Sequence, residues 1–291
     1  MADNRTDPNS GRRSGRDGTH AKGSPAEPRG AQPAGENRGI SVLHNGIAVL
    51  RSFSPEEPLL GVTDIASRVG LHKSTVSRIL ATLEQNGLVE RDPETRRFRL
   101  GLGVIAMAGP LLADLDVRRL AYPALVDLSR RTEETSALML WNGSESVCVE
   151  QVPSRHKVKH TTPLGTRYDT IASASVQVFL AWLPASRTRA LLSKGTLVHP
   201  GLDDAGVEAY LDRLAEVNKL GYAINFGETS LEEVGVAAPV FDHRGDVAAC
   251  VLVSAPRFRV SPERLPVLCE AVRDSAGEVT SRLGGHRPDP V

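Results

Sequence analysis

Val62-Thr63-Asp64-Ile65-Ala66-Ser67-Arg68-Val69-Gly70-Leu71-His72-Lys73-Ser74-Thr75-Val76-Ser77-Arg78-Ile79-Leu80 is the stretch that decides how this chain folds. Ile65, Ala66 and Val69 recur at helical spacing, and so do Val76, Ile79, Leu80 and, just beyond, Leu83. The two runs predict two short helices sharing one small core. Gly70 stands where the first helix must stop in a left-handed conformation, which glycine adopts without a Cβ clash. The core leaves Lys73, Ser74, Thr75, Ser77 and Arg78 unused at the start of the second helix. Short donors and cations at a helix N-terminus attract phosphate and reach base edges in a major groove. Paired helices around a glycine also occur in all-α proteins that bind no DNA, so the residues that follow carry weight.

After Asn86-Gly87, Leu88 to Arg91 alternates like a strand, Asp92-Pro93-Glu94-Thr95 supplies turn residues, and Arg96 to Leu100 alternates again. A hairpin wing is predicted. Its period of two sets Phe98 and Leu100 toward the core and Arg97 and Arg99 outward, along a phosphate backbone. Upstream, Leu43, Ile47 and Leu50 recur at four and three residues, as a helix packing beneath the pair requires.

The run Val62 to Leu83, the segment Gly87 to Asp92 and Arg99-Leu100-Gly101 resemble the winged helix-turn-helix of the IclR family of bacterial transcriptional regulators. Looser similarity continues through Gly221-Tyr222-Ala223, Val236 to Asp242, Arg244-Gly245 and Ser254-Ala255-Pro256, which resemble the family's C-terminal effector-binding domain.

The chain has 291 residues, 40% of them apolar, enough for two cores. Equal numbers of acidic and basic residues give no formal net charge, so any nucleic-acid surface must be local. No apolar run reaches the roughly 18–20 residues that cross a bilayer, and the N-terminus is not signal-like; a cytoplasmic protein is expected, with no membrane partner. Cys148, Cys250 and Cys269 form no Cys-x-x-Cys pair and read as buried thiols.

Four segments are expected: a Gly-, Pro- and Arg-rich disordered tail at 1–39, a winged helix-turn-helix at 40–102, a linker helix at 103–116 and an effector-binding domain at 117–285. Pro110 is expected to kink or split the linker helix. The last segment alternates helical signals (Leu120 to Thr132, Ala172 to Leu183, Ser186 to Leu192, Asp204 to Leu220, and a final helix capped by Ser261-Pro262) with strand signals. The strands are read at Ala137 to Trp141, Ser146 to Glu150, Lys157 to Thr161, Tyr222 to Phe226, Val236 to Phe241 and Val247 to Ser254. That order implies an α+β domain on a mostly antiparallel sheet, which the resemblance sharpens to a GAF-like fold.

The residues nominate no enzyme. Ser173 and Ser175 lack a Gly-x-Ser-x-Gly elbow, His156 and His160 fall on the expected strand rather than a helix, and Glu228, Glu232 and Glu233 read as loop carboxylates. No cofactor or metal is implied. By resemblance, the effector cavity is lined by Ala174 and Ser175, by Asn225 and Gly235, and by Leu252 and Ser254. Ile171, Val176 and Gly235 stand where many members carry histidine, glycine and cysteine.

The resulting expectation is a homodimeric or tetrameric transcription factor, a repressor, bound to double-stranded operator DNA and responsive to a small organic acid or similar metabolite. An enzyme with a DNA-binding appendage, or a structural DNA-binding protein whose second domain only oligomerises, are the other readings the residues allow.

Overall fold

The computed structural model describes residues 36–54, 56–114 and 116–288. The tail expected to be disordered lies, through residue 35, outside the described residues.

Three helices, α1 (Glu36–Arg51), α2 (Val62–Val69) and α3 (Lys73–Gln85), surround one small core. Val49, Ile65, Val76 and Leu80 are wholly buried there, joined by Leu60, Val89 and Phe98. Gly61 N–H donates to Asp64 Oδ2 at 3.0 Å and starts α2, while Gly70 ends it in the left-handed region at φ 65°. The hairpin β1 (Val89–Arg91) and β2 (Phe98–Leu100) is antiparallel. Leu60 and Phe98 exchange backbone hydrogen bonds at 2.9 and 2.8 Å, which adds a one-residue third strand to the wing. Leu100, expected on the core face with Phe98, is 43% exposed. The period is correct, but the core ends beneath Phe98, at 5% exposure, and does not extend to the hairpin's base.

At that base three glycines meet. Gly101 N–H donates to Leu88 O at 2.9 Å and Gly103 N–H to Gly87 O at 3.0 Å. A Cβ at Gly101 would lie 2.3 Å from the Gly87 carbonyl oxygen and one at Gly103 2.6 Å from it, distances no real side chain occupies. Gly103 opens α4 (Gly103–Asp114). That helix is continuous through Pro110, so of the expected kink or split the split does not occur. Ala106 N–H donates to Leu102 O at 3.1 Å, so Pro110, which lacks a donor, interrupts a ladder that is already established on its N-terminal side.

The second domain is built on a six-stranded antiparallel sheet ordered β5-β4-β3-β8-β7-β6. Its strands are β3 (Thr135–Trp141), β4 (Ser146–Val152), β5 (Arg167–Tyr168), β6 (Ala223–Phe226), β7 (Glu233–Phe241) and β8 (Val247–Pro256). Lys157 to Thr161, expected as a strand, is a loop; the edge strand comes later, at β5. Lys159 Nζ folds back on Ser154 O at 2.9 Å, and Thr135 Oγ1 donates to His160 O at 2.6 Å. Side-chain bonds of this kind replace the ladder that the alternating pattern suggested.

One sheet face is covered by α5 (Asp116–Thr132) and α9 (Arg264–Arg282) around Leu125, Leu128, Leu138, Val251 and Val272. The other is covered by α6 (Ala174–Ala181), with α7 (Ala185–Ser193) and α8 (Asp204–Leu220) beyond it. Each such Leu is worth about 2–5 kcal/mol against alanine. At one end of the sheet Glu134, with no exposed surface, accepts from Arg259 Nε at 2.8 Å and Nη2 at 2.6 Å, and from Arg264 Nη2 at 3.3 Å. Arg259 Nη1 also holds Val158 O at 2.7 Å, pinning the loop after β4 to the sheet.

Candidate nucleic-acid interface and effector site

Burial of Val76 and Leu80 turns the opposite face of α3 outward, and Lys73, Ser74, Ser77 and Arg78 are exposed on it, with Thr75 half-buried. Sequence reasoning missed the cap. His72 Nδ1 stands 2.8 Å from Ser74 Oγ and 3.4 Å from Ser74 N, fixing the first turn and orienting the serine. Among the described residues no acidic side chain pairs with Lys73 or Arg78, which leaves both cations available to DNA.

The wing arginines differ from one another. Arg99 donates from Nε and Nη2 to Glu90 Oε2, each at 3.1 Å. Arg97 Nη1 donates to Leu59 O at 3.3 Å, and its Nη2 stands 4.0 Å from Asp64 Oδ2. At the tip Asp92 Oδ1 accepts from Thr95 N at 2.7 Å, Thr95 Oγ1 at 2.8 Å and Glu94 N at 3.1 Å. Those bonds, Thr95's first, hold the Asp92 carboxyl below its usual range. The turn places Arg96 in the left-handed region at φ 60°, exposed at the apex. Arg96 is thus a further exposed cation on the wing that the strand reading did not single out; the Asp-Pro-Glu-Thr turn just before it was the available signal.

In the second domain the register aligns Asn225 with Gly235, Gly235 with Ser254, and Ser254 with Thr135. Residues directly opposite share a face, so these four form one row across β6, β7, β8 and β3. Leu252 belongs to the α6-facing core with Ala174, so the row faces α6. A Cβ on Gly235 would stand 3.7 Å from Leu252 Cδ1, 3.8 Å from Asn225 Cβ and 3.9 Å from Ala174 Cβ. Four of the six expected effector residues therefore meet at one point, where a methyl on Gly235 would stand in ordinary van der Waals contact with its neighbours. Ser175, fully buried, shares a hydrogen bond with Ser173 at 3.1 Å. Ser254 lies 3.5 Å from Thr162 Oγ1.

Thr162 escaped sequence reasoning, since it sits in a loop without periodicity. It is fully buried, its N–H donates to Gln151 Oε1 at 2.7 Å and its carbonyl accepts from Cys148 Sγ at 3.0 Å. Burial pushes the neighbouring Tyr168 phenol up, against a hydrogen bond from Thr162. Asn225 is differently employed. Its Oδ1 accepts from Glu228 N at 2.8 Å and Thr229 N at 3.3 Å, and its Nδ2 donates to Thr229 Oγ1, so the carboxamide shapes the turn after β6. Glu228, read as a loop carboxylate, pairs with Arg213, which also donates to Gln177 Oε1 at 3.1 Å and Ile224 O at 3.1 Å. His160 Nε2 contacts Glu232 O at 3.1 Å, and among the described residues no group of three potential ligands could hold a metal.

Helices around a glycine turn, a wing bearing arginines and a separate sheet domain with a buried polar row define a two-domain DNA-binding transcriptional regulator. Residues 42–93 match the IclR helix-turn-helix domain, and residues 110–281 match the bacterial transcriptional regulator IclR C-terminal domain. The chain belongs to the IclR family. The HTH-type transcriptional regulator KipR of Bacillus subtilis is 29% identical over 251 residues, covering 86% of this chain and 99% of that protein. The HTH-type transcriptional repressor AllR of Escherichia coli K12 is 27% identical over 258 residues, covering 88% and 95%. Such relatives are regulators, not enzymes.

Among solved structures, a domain of an IclR-family regulator is 58% identical and superposes with a TM-score of 0.58 over 60% of this chain and 99% of that one. The regulator RHA06195 of Rhodococcus sp. RHA1 is 27% identical with a TM-score of 0.68, covering 84% and 98%. An IclR homologue of Microbacterium hydrocarbonoxydans, solved with 4-hydroxybenzoate, shares the fold at 24% identity and a TM-score of 0.69, covering 84% and 99%.

Proposed function

We propose that this regulator is an effector-responsive repressor that binds a pseudo-palindromic operator as a homodimer or tetramer in the bacterial cytoplasm. The DNA-binding unit spans residues 40–102, the linker helix 103–116 and the effector domain 117–285. Lys73, Ser74, Thr75, Ser77 and Arg78 face the major groove, and Arg97 and Arg99, with Arg96, follow the backbone.

The observation that carries the effector reading is the convergence of Ala174, Asn225 and Leu252 on the side of Gly235 that carries no side chain, beside the buried hydroxyls of Ser175 and Ser254. Apolar walls with few placed polar groups are what a small-molecule site requires. Hydroxyls that serve as donor and acceptor suit a small organic acid or a similar metabolite. Complex formation with 4-hydroxybenzoate in the Microbacterium homologue supports an organic acid as the class. The effector changes operator affinity only as far as it binds two conformations differently, typically about 1–3 kcal/mol.

The test is a thermal-shift screen of small organic acids on the full-length protein, followed by operator binding in a fluorescence-anisotropy assay. Ser254→Ala and Ser175→Ala should each weaken a hit by about tenfold while leaving effector-free operator affinity intact. A hit that binds both variants at wild-type affinity would remove the effector from this row. Asn225→Ala should weaken binding together with thermal stability, because it opens the turn after β6.

A further inference from the structure

Away from the Gly235 row, the other end of the sheet gathers both tryptophans and two phenylalanines. The sequence holds two tryptophans, Trp141 and Trp182, and both line one surface groove of about 660 Å³. Trp141 ends β3 and stacks on Phe179 with ring centroids 5.5 Å apart at 26°. Trp182 follows α6 and is braced edge-on by Phe241, also at 5.5 Å. The groove therefore has fixed, partly exposed indole walls that nothing in the DNA or effector reading uses.

Its polar side chains, Asn218 and Asp246, both carry acceptor oxygens. Asn218 donates one amide N–H to Ala181 O at 3.0 Å, which leaves its carboxamide oxygen as an acceptor beside one further N–H. Asp246 is exposed; its backbone N–H donates to Asp242 Oδ1 at 3.0 Å, and among the described residues its carboxylate has no partner. Among the described residues no lysine, arginine or histidine lines the groove, and Arg287, next to the lining Pro288, spends its guanidinium on the carbonyls of Asn218 and Lys219. Aromatic faces attract cations through their quadrupole, and acceptors at the rim with no competing cation add to that attraction. We infer that the groove is a second small-molecule site, taking a planar aromatic cation that stacks on Trp141 and Trp182 and turns its charged end to Asp246.

Because both tryptophans lie in the groove, their emission reports occupancy directly. Benzamidine, benzamide and benzoate place a cation, a neutral amide and an anion on the same ring, and each would be titrated into the full-length protein. Benzamidine should quench saturably and bind about fivefold tighter than benzamide, with benzoate giving no saturable change. Asp246→Asn, a change at an exposed turn, should bring benzamidine down to benzamide's affinity. Trp182→Leu should abolish the response while operator binding shows that the variant still folds. Equal affinities for all three compounds, indifference to Asp246→Asn, or tryptophans already shielded from acrylamide by a second copy of the chain would each overturn the inference.

Discussion

Glu90 and Arg99 are paired across the wing, the carboxylate oxygen Oε2 receiving both Nε and Nη2 at 3.1 Å. They are direct partners in the strand register, so the pair is part of the hairpin itself. A phosphate reaching this edge must share Arg99 with a fixed negative charge. Glu90→Gln should raise affinity for random duplex DNA by about two- to fivefold, the range of an exposed ion pair, and steepen the salt dependence. Anisotropy titrations at several salt concentrations measure both, and an unchanged salt slope would place Arg99 off the backbone.

Arg78 and Arg97 should separate by behaviour. Arg78→Ala should cost about 1–3 kcal/mol at the preferred operator and blur discrimination between sites, as loss of a base contact does. Arg97→Ala should lower affinity alike on every sequence and reduce the salt slope by about one unit. Competition between operator and random duplex distinguishes the two patterns; full site discrimination by the Arg78 variant would remove it from the base readers.

Removing the carboxylate from Glu134 should be among the most damaging single changes in the second domain. It leaves Arg259 and Arg264 without their buried partner, and breaking such a pair costs about 3–5 kcal/mol. Glu134→Gln should lower the unfolding midpoint sharply and expose the loop after β4 to proteolysis, because Arg259 also anchors Val158. Wild-type denaturation of that variant would mean the ion cluster contributes little.

Burial raises the Cys148 thiol to about 12 and the Cys269 thiol to about 11, and pushes Cys250 up as well. All three should stay protonated at pH 8 and resist thiol reagents in the native protein, reacting only on unfolding. The folded values exceed the ordinary 9.0, so the stability these groups favour is complete below about pH 9 and is lost as pH rises toward 11 and 12. Labelling kinetics with and without denaturant, and unfolding midpoints across that range, measure the two effects.

Local chemistry was legible in the sequence. Gly70 and Gly87 adopt the positive φ that their places between elements demanded, and Asn142-Gly143, a hairpin dipeptide between the strands read at Ala137 to Trp141 and Ser146 to Glu150, turns the chain, with Asn142 Oδ1 accepting from Glu145 N at 2.8 Å. The apolar runs Val236 to Phe241 and Val247 to Ser254 were read as strands and form them, as β7 and β8, buried along almost their whole length. What the pattern could not supply was the partner across space. Lys157 to Thr161 alternates like a strand but spends its polar groups on Ser154 and Thr135, and Arg99 looks free until Glu90 is seen opposite it. Asn225 is at the expected place in the sheet, yet its side chain is occupied by a turn four residues long that no spacing announces. Thr162 reached the polar row from a loop, where periodicity carries no information.

The glycine junction at the foot of the wing has a mechanical consequence. Gly87 follows the cap of α3, Gly103 begins α4, and the two are hydrogen-bonded at 3.0 Å with no room for a side chain between them. A joint with that little clearance has no backlash. A rotation of α4 would be carried to α3 through this close contact, and in the effector-responsive dimer proposed above it would change the separation of the two half-site readers with little of the motion lost.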